Sequence, residues 1–157
     1  MVKEKYPSAR FQILGPIKSQ NRTAISFQEI KKWQDKKIIE YLGQTDNVTH
    51  FINKALCVVL PSYREGTSRA LLEAAAVGRP IIASDVPGCR EIIDDGKSGF
   101  LCKPKDSEDL ANKIEKMISL SHESRVNMAN KGRLKVQKEY SEEIVLNYFI
   151  NAIKETS

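Results

Sequence analysis

Short apolar runs alternate with amphipathic stretches as far as residue 105. The runs at 11–14, 38–42, 56–60, 80–83 and 99–102 are brief and largely aliphatic, as strands buried on both faces are. Turn residues follow them: Gly15-Pro16, Gly43, Pro61-Ser62 and Pro104. The run at 80–83 gives way instead to Ser84-Asp85, with Pro87-Gly88 beyond. Between the runs, the spacing predicts helices over 27–33, 48–54 and 68–77. The helix over 68–77 is apolar almost all round and is expected to be buried, with Gly78 and Pro80 marking its end. After residue 105 the strand pattern stops. Ser107 is placed to cap a helix over 107–119, with Glu108 and Asp109 in its first turn. A further helix is expected over 123–140. Another, capped by Ser141, is expected over 141–155 with Ile144, Tyr148 and Ile153 on its apolar side. Residues 1–6 read as the last turn of a helix that Pro7-Ser8 ends, and a strand is expected before it. Strands alternating with helices define an α/β fold with a parallel sheet.

Length and composition narrow the class. The chain has 157 residues, about one domain's worth. Hydrophobic residues at 41% and charged residues at 29% suit an ordinary core and exclude a disordered tail. No apolar run reaches the roughly 18–20 residues of a membrane helix, and the first residues lack an apolar signal core. The three cysteines, Cys57, Cys89 and Cys102, form no C-x-x-C pair, so neither a disulfide framework nor a thiolate metal site is expected, and a cytoplasmic location is. Asn21-Arg22-Thr23 and Asn47-Val48-Thr49 then read as chance sequons. The net charge of +5 hints at a polyanionic partner, but its distribution removes the hint. Residues 1–60 carry ten basic and five acidic side chains, and residues 61–157 carry fifteen of each. No basic stripe interleaved with aromatics marks a nucleic-acid surface. Lys31, Lys32, Lys36 and Lys37 around Trp33 make either a solvated helix face or a peripheral contact with an anionic membrane.

The chemistry concentrates in Pro61-Ser62-Tyr63-Arg64-Glu65-Gly66-Thr67-Ser68-Arg69-Ala70-Leu71-Leu72-Glu73. A strand ends at Leu60, a polar loop follows, and a helix starts near Ser68. Open α/β sheets bind ligands at the carboxyl ends of their strands. A helix N-terminus there offers unpaired N–H groups and a partial positive charge. Gly66 lets the backbone approach a ligand closely. The arrangement suits a phosphate or diphosphate, although joints of this kind are common. Glu65 and Glu73 flank the positive end, and carboxylates accept paired hydrogen bonds from vicinal sugar hydroxyls. Glu73 alternatively faces solvent or pairs with Arg69 four residues back.

These residues also resemble a known family. Glu65-x7-Glu73 within P-S-Y-R-E-G-T-S-R-A-L-L-E-A-A-A-V-G-R-P-I-I-A-S is similar to the signature of family-4 retaining glycosyltransferases of the GT-B fold. Asp85-Val86-Pro87-Gly88-Cys89-Arg90-Glu91 and Asp95-Gly96-Lys97-Ser98-Gly99-Phe100-Leu101 extend the likeness, as do the closing helices. Gly15-Pro16-Ile17 and D-V-P-G-C-R-E resemble members that extend lipid-linked glycans for capsules or glycoproteins. The resemblance implies a Rossmann-like parallel sheet with flanking helices, the C-terminal, donor-nucleotide half of a GT-B enzyme. The chain is then one N-terminally truncated domain, with an α/β core over 1–105 and C-terminal helices over 106–157. Its first strand is absent, and that strand is central in a 3-2-1-4-5-6 sheet. The strands at 11–14 and 56–60 then pair directly, leave a gap, or take a strand from another chain.

The resemblance also implies roles. Glu65 contacts hydroxyls of the donor sugar and is the catalytic candidate. The N–H groups of Gly66, Thr67 and Ser68 hold the sugar and diphosphate. Glu73 grips the ribose, and Gly43-Gln44-Thr45 lies near the base. The donor is a nucleotide-diphosphate sugar, most commonly a UDP-sugar, with no metal and no other cofactor. The acceptor, a glycan or lipid-linked glycan, belongs to an N-terminal domain not in this chain, as do an Arg and a Lys that neutralise the diphosphate. The chain alone is therefore expected to be inert. Arg64, Arg69 and Arg90 are further candidates to face the diphosphate. The last helix is a candidate for dimer contacts. A non-catalytic nucleotide- or phosphate-binding module remains the alternative. A flavodoxin- or receiver-like domain does not fit, because Gly15, Gly43 and Pro61 stand where a receiver needs acidic residues.

Overall fold

A computed structural model describes residues 1–17 and 24–155. The sequon at Asn21 lies outside the described residues. The elements are α1 (Val2–Lys5), β1 (Gln12–Ile13), α2 (Phe27–Asp35), β2 (Glu40–Tyr41), α3 (Val48–Lys54), β3 (Val58–Leu60), α4 (Arg69–Ala76), β4 (Ile81–Ser84), β5 (Gly99–Cys102), α5 (Ser107–Ser119), α6 (His122–Glu139) and α7 (Glu142–Glu155). They form two compact units, Met1–Val48 and Thr49–Ser157.

In the first unit, β1 and β2 pair in parallel, with Gln12 opposite Glu40 and Ile13 opposite Tyr41. The ladder continues as the Glu40 N–H donates to the Phe11 carbonyl and the Leu42 N–H to that of Ile13. Arg10 grips Glu40 with both ends of its guanidinium, at 2.8 and 2.7 Å, and Gln12 adds a bond at 2.9 Å. These bonds, with Arg10 first, hold the Glu40 carboxyl down at about 2 from its ordinary 4.5. The Tyr41 hydroxyl donates to the Gly15 carbonyl at 2.7 Å, tying the two strand ends together. Ser26 caps α2 by accepting the Glu29 N–H. Only Ile30 of that helix is buried, so α2 is held by one narrow stripe.

The second unit holds the larger sheet, parallel in the order β3-β4-β5. Central β4 is buried at every residue, which is why Ile81-Ile82-Ala83 carries no alternation. Leu71, Ala74 and Ala75 of α4, Met117 of α5 and Ala129 of α6 join Ile92, Ile93 and Phe100 in its core. Gly132 lets α6 lie close: a Cβ there would stand 3.4 Å from the Ser98 carbonyl oxygen and 3.9 Å from the Ala75 Cβ. Arg125 reaches the carbonyls of Met117, Ile118 and Leu120 and so closes the carboxyl end of α5. Arg79 does the same near α3 by donating to the Asn53 carbonyl at 2.6 Å.

The structure corrects three expectations. The helix over 68–77 is not buried all round. Arg69, Ala70, Glu73 and Ala76 are exposed on one side, and the alanines satisfy either environment. The cap of α5 is Asp106, which accepts the Asp109 N–H at 2.9 Å, and Ser107 is already helical. The helix placed over 123–140 runs one residue earlier at each end, from a Ser121 cap.

Candidate functional site

The loop at 61–68 leaves the carboxyl end of β3 and enters α4. Inside it, the Ser62 hydroxyl donates to Glu65 Oε1 at 2.6 Å, fixing a half-buried carboxylate. Gly66 is exposed, has no left-handed φ, and a Cβ on it would meet nothing within 4 Å. Neither backbone conformation nor packing therefore calls for glycine at 66.

Ser68 occupies the N-cap position of α4 and is 5% exposed, yet its side chain makes no capping bond. By contrast, Ser26, Asp106 and Ser121 close α2, α5 and α6 with their side chains. The first turn of α4 also carries no acidic residue. Its leading N–H groups, at the positive end of the helix dipole, therefore receive neither a side-chain cap nor an acidic side chain from its first turn.

Glu73 sits on the exposed side of α4, its side chain 46% exposed. Arg69 Nη2 is 4.0 Å from Glu73 Oε1, and the Arg69 side chain is 92% exposed. So loose a surface pair leaves both groups free to engage a ligand. The sequence offers Arg90 as a candidate to face a diphosphate. The structure instead ties it to Asp85, with Nε donating to Oδ1 at 2.8 Å and Nη2 to the main-chain carbonyl at 3.1 Å. In the first unit, Gly43 has φ +78 and accepts the Gly15 N–H, while Thr45 Oγ1 accepts the Asn47 N–H.

One participant escaped the sequence reading. Gly88 has φ +78, and a Cβ on it would stand 2.6 Å from the Gly66 carbonyl carbon and 2.8 Å from the Glu65 carbonyl oxygen. It is the post against which the Glu65–Gly66 turn rests. In the sequence Gly88 stands within the D-V-P-G-C-R-E stretch, but a Pro-Gly pair by itself reads as an ordinary turn and gives no hint of this contact. Among the described residues, no group of three or more His, Cys, Asp or Glu side chains is placed to hold a metal ion. Burial pushes the Cys89 thiol behind this turn up to about 11, so it carries no nucleophilic thiolate near neutral pH.

Comparison with known proteins now gives the class. Residues 1–135 match the family model described as glycosyl transferases group 1, and the chain belongs to that family. It is 29% identical over 150 residues to the N,N'-diacetylbacillosaminyl-diphospho-undecaprenol alpha-1,3-N-acetylgalactosaminyltransferase of Campylobacter jejuni, covering 96% of this chain and 37% of that protein. It is 32% identical over 95 residues to the capsular polysaccharide biosynthesis glycosyltransferase CapM of Staphylococcus aureus, covering 60% of this chain and 25% of CapM. Among solved structures, a TarM of S. aureus in complex with Fondaparinux, alpha-GlcNAc-glycerol and UDP superposes with a TM-score of 0.84 at 25% identity, over 96% of this chain and 30% of that one. HepE of Anabaena in complex with UDP shares the fold, with a TM-score of 0.74 at 21% identity over 82% of this chain and 35% of that one. The fold is thus the α/β fold of GT-B glycosyltransferase C-terminal domains. The chain spans little more than a third of the Campylobacter relative and a quarter of CapM. No helix among the described residues is long and apolar enough to cross a membrane.

Proposed function

We propose that the chain is the donor-binding half of a retaining glycosyltransferase that moves a sugar from a nucleotide-diphosphate sugar, a UDP-sugar, to a glycan or lipid-linked glycan acceptor. The observation that carries this reading is the uncapped start of α4, open between Glu65 and Glu73. N–H groups of Gly66, Thr67 and Ser68 hold the diphosphate end of the donor. Glu65, fixed by Ser62, contacts the sugar hydroxyls beside the breaking bond, and Glu73 accepts paired hydrogen bonds from the ribose. As the glycosidic bond breaks, negative charge grows on the departing nucleoside diphosphate. Preorganised N–H groups at a helix end stabilise that charge without reorganising.

The acceptor and the remaining diphosphate contacts come from the segment that the resemblance places before this one. On this reading the chain by itself binds donor and transfers no sugar. It works on the cytoplasmic side of a membrane, touching anionic lipid through the lysines around Trp33. Two copies pair through the apolar side of α7, where Val145, Leu146, Tyr148, Phe149, Ile150 and Ile153 are exposed. Co-sedimentation with anionic vesicles and sedimentation equilibrium test these two contacts.

The deciding experiment is calorimetric titration with UDP, GDP and UDP-sugars, comparing the natural sequence with Glu73→Ala. Loss of a charge-assisted ribose contact is expected to cost about 1.5–3 kcal/mol, roughly 10- to 150-fold in affinity. Equal affinity in the variant would remove Glu73 from the site. Sugar transfer by the chain alone at enzymatic rates would refute its dependence on a second half.

A further inference from the structure

α4 begins with a cation. Arg69 is its first helical residue, at the end where the helix dipole is positive and a basic side chain is unfavourable. Acidic side chains stand in the first turn elsewhere: Glu29 in α2, Glu108 and Asp109 in α5, Glu123 in α6, Glu142 and Glu143 in α7. The Arg69 side chain is 92% exposed, and its pair with Glu73, at 4.0 Å, is too long for a hydrogen bond. The charge therefore opposes its own helix and gains no close contact within the fold.

Ser68 supplies an independent observation. It is 5% exposed, and among the described residues nothing hydrogen-bonds its hydroxyl. That hydroxyl is not sealed in, because among the described residues the side-chain polar atom both unpaired and closed off from solvent is Arg79 Nε. A serine buried at an N-cap ordinarily bonds an amide of the first turn. Here the hydroxyl and the neighbouring guanidinium both await a partner from outside.

We infer that the Arg69 guanidinium and the Ser68 hydroxyl bind the donor's diphosphate, and that Arg69 makes the site select nucleoside diphosphates over monophosphates. The inference deepens the donor reading above and rests on it, naming the side chains through which this chain itself meets the phosphates. A guanidinium presents paired N–H donors that match two phosphate oxygens. It also answers a problem of charge. Glu73 lies one turn into α4, and Glu65 lies in the loop before it, so two carboxylates repel a diphosphate at the helix start. The Ser62 hydroxyl engages Glu65 without neutralising it. A cation at residue 69 offsets that repulsion, and it is released to the phosphates once Glu73 turns to the ribose.

Calorimetric titration of the full chain with UDP, UMP and inorganic pyrophosphate tests this contact. The natural sequence is expected to bind pyrophosphate, and to bind UDP more tightly than UMP. Arg69→Gln is expected to weaken UDP and pyrophosphate about fivefold or more and to change UMP by less than about twofold, whereas Arg69→Lys keeps the preference for UDP. Ser68→Ala is expected to weaken pyrophosphate with no change in melting temperature, since the hydroxyl caps nothing. Glu73→Ala is expected to weaken UDP and UMP alike and to leave pyrophosphate binding no weaker. Equal losses of UDP and UMP in Arg69→Gln would overturn the proposal, because they would mark a residue that serves only to hold Glu73. Unchanged UDP affinity in that variant would do the same, as would a natural sequence that binds neither UDP nor pyrophosphate. Pyrophosphate binding that depends on Arg69, with no gain from the uridine and no effect of Glu73→Ala, would sink the donor reading and uphold the anion contact.

Discussion

Gly88 and Gly96 have nearly the same backbone, φ +78 and +74, but different surroundings. A Cβ on Gly96 meets nothing within 4 Å, whereas one on Gly88 drives into the Glu65–Gly66 backbone. Gly96→Ala therefore isolates left-handed strain, about 1–2 kcal/mol. Gly88→Ala adds a clash with main-chain atoms that no rotamer change relieves, and is expected to cost at least ~2 kcal/mol more. Urea denaturation of both variants checks the difference. UDP-sugar titration should show weakened binding only for Gly88→Ala, because only there does the donor loop move. The carboxylates at 65 and 73 stand out in the sequence as candidates by residue type and spacing, with a pairing of Glu73 to Arg69 as the alternative. The post under them does not, because the contact joins two loops 22 residues apart.

The elements themselves were largely legible. Among the described residues, period and turn residues placed each strand, and helix starts agree to within a residue or two. Where the reading slipped, neighbouring residues were chemically equivalent. Asp106 and Ser107 are both good caps, and alanines in α4 fit a buried or an exposed side. The choice at α5 is testable by urea midpoint. Asp106→Ala should cost about 1 kcal/mol through loss of the bond to the Asp109 N–H, and Ser107→Ala close to none. The small sheet makes a second prediction. Glu40 titrates at about 2 in the folded chain, below its ordinary 4.5, so the Arg10 contact contributes stability above that ordinary value and loses it as pH falls towards 2. Because Arg10 is 70% and Glu40 41% exposed, solvent screens the pair and the effect is modest. Amide exchange at Glu40 and Leu42, relative to Glu40→Gln, should accelerate across that window. A ratio independent of pH would show that the pair contributes nothing.

At the scale of the whole chain, the two sheets differ greatly in what supports them. The first has two strands of two residues, a surface ion pair and few buried side chains. The second has a fully buried central strand with α4, α5 and α6 packed around it. Two-stranded sheets are marginal in water, and local stability follows buried contacts. Backbone amides of Ile82 and Ala83 should accordingly exchange far more slowly than those of Glu40 and Leu42.

The sole tryptophan, Trp33, lies in the first unit, and all three cysteines lie in the second. Nature has thus given each unit its own reporter. Indole fluorescence therefore reports on the first unit and thiol accessibility on the second, and the two signals measured in one urea titration test whether both units unfold together.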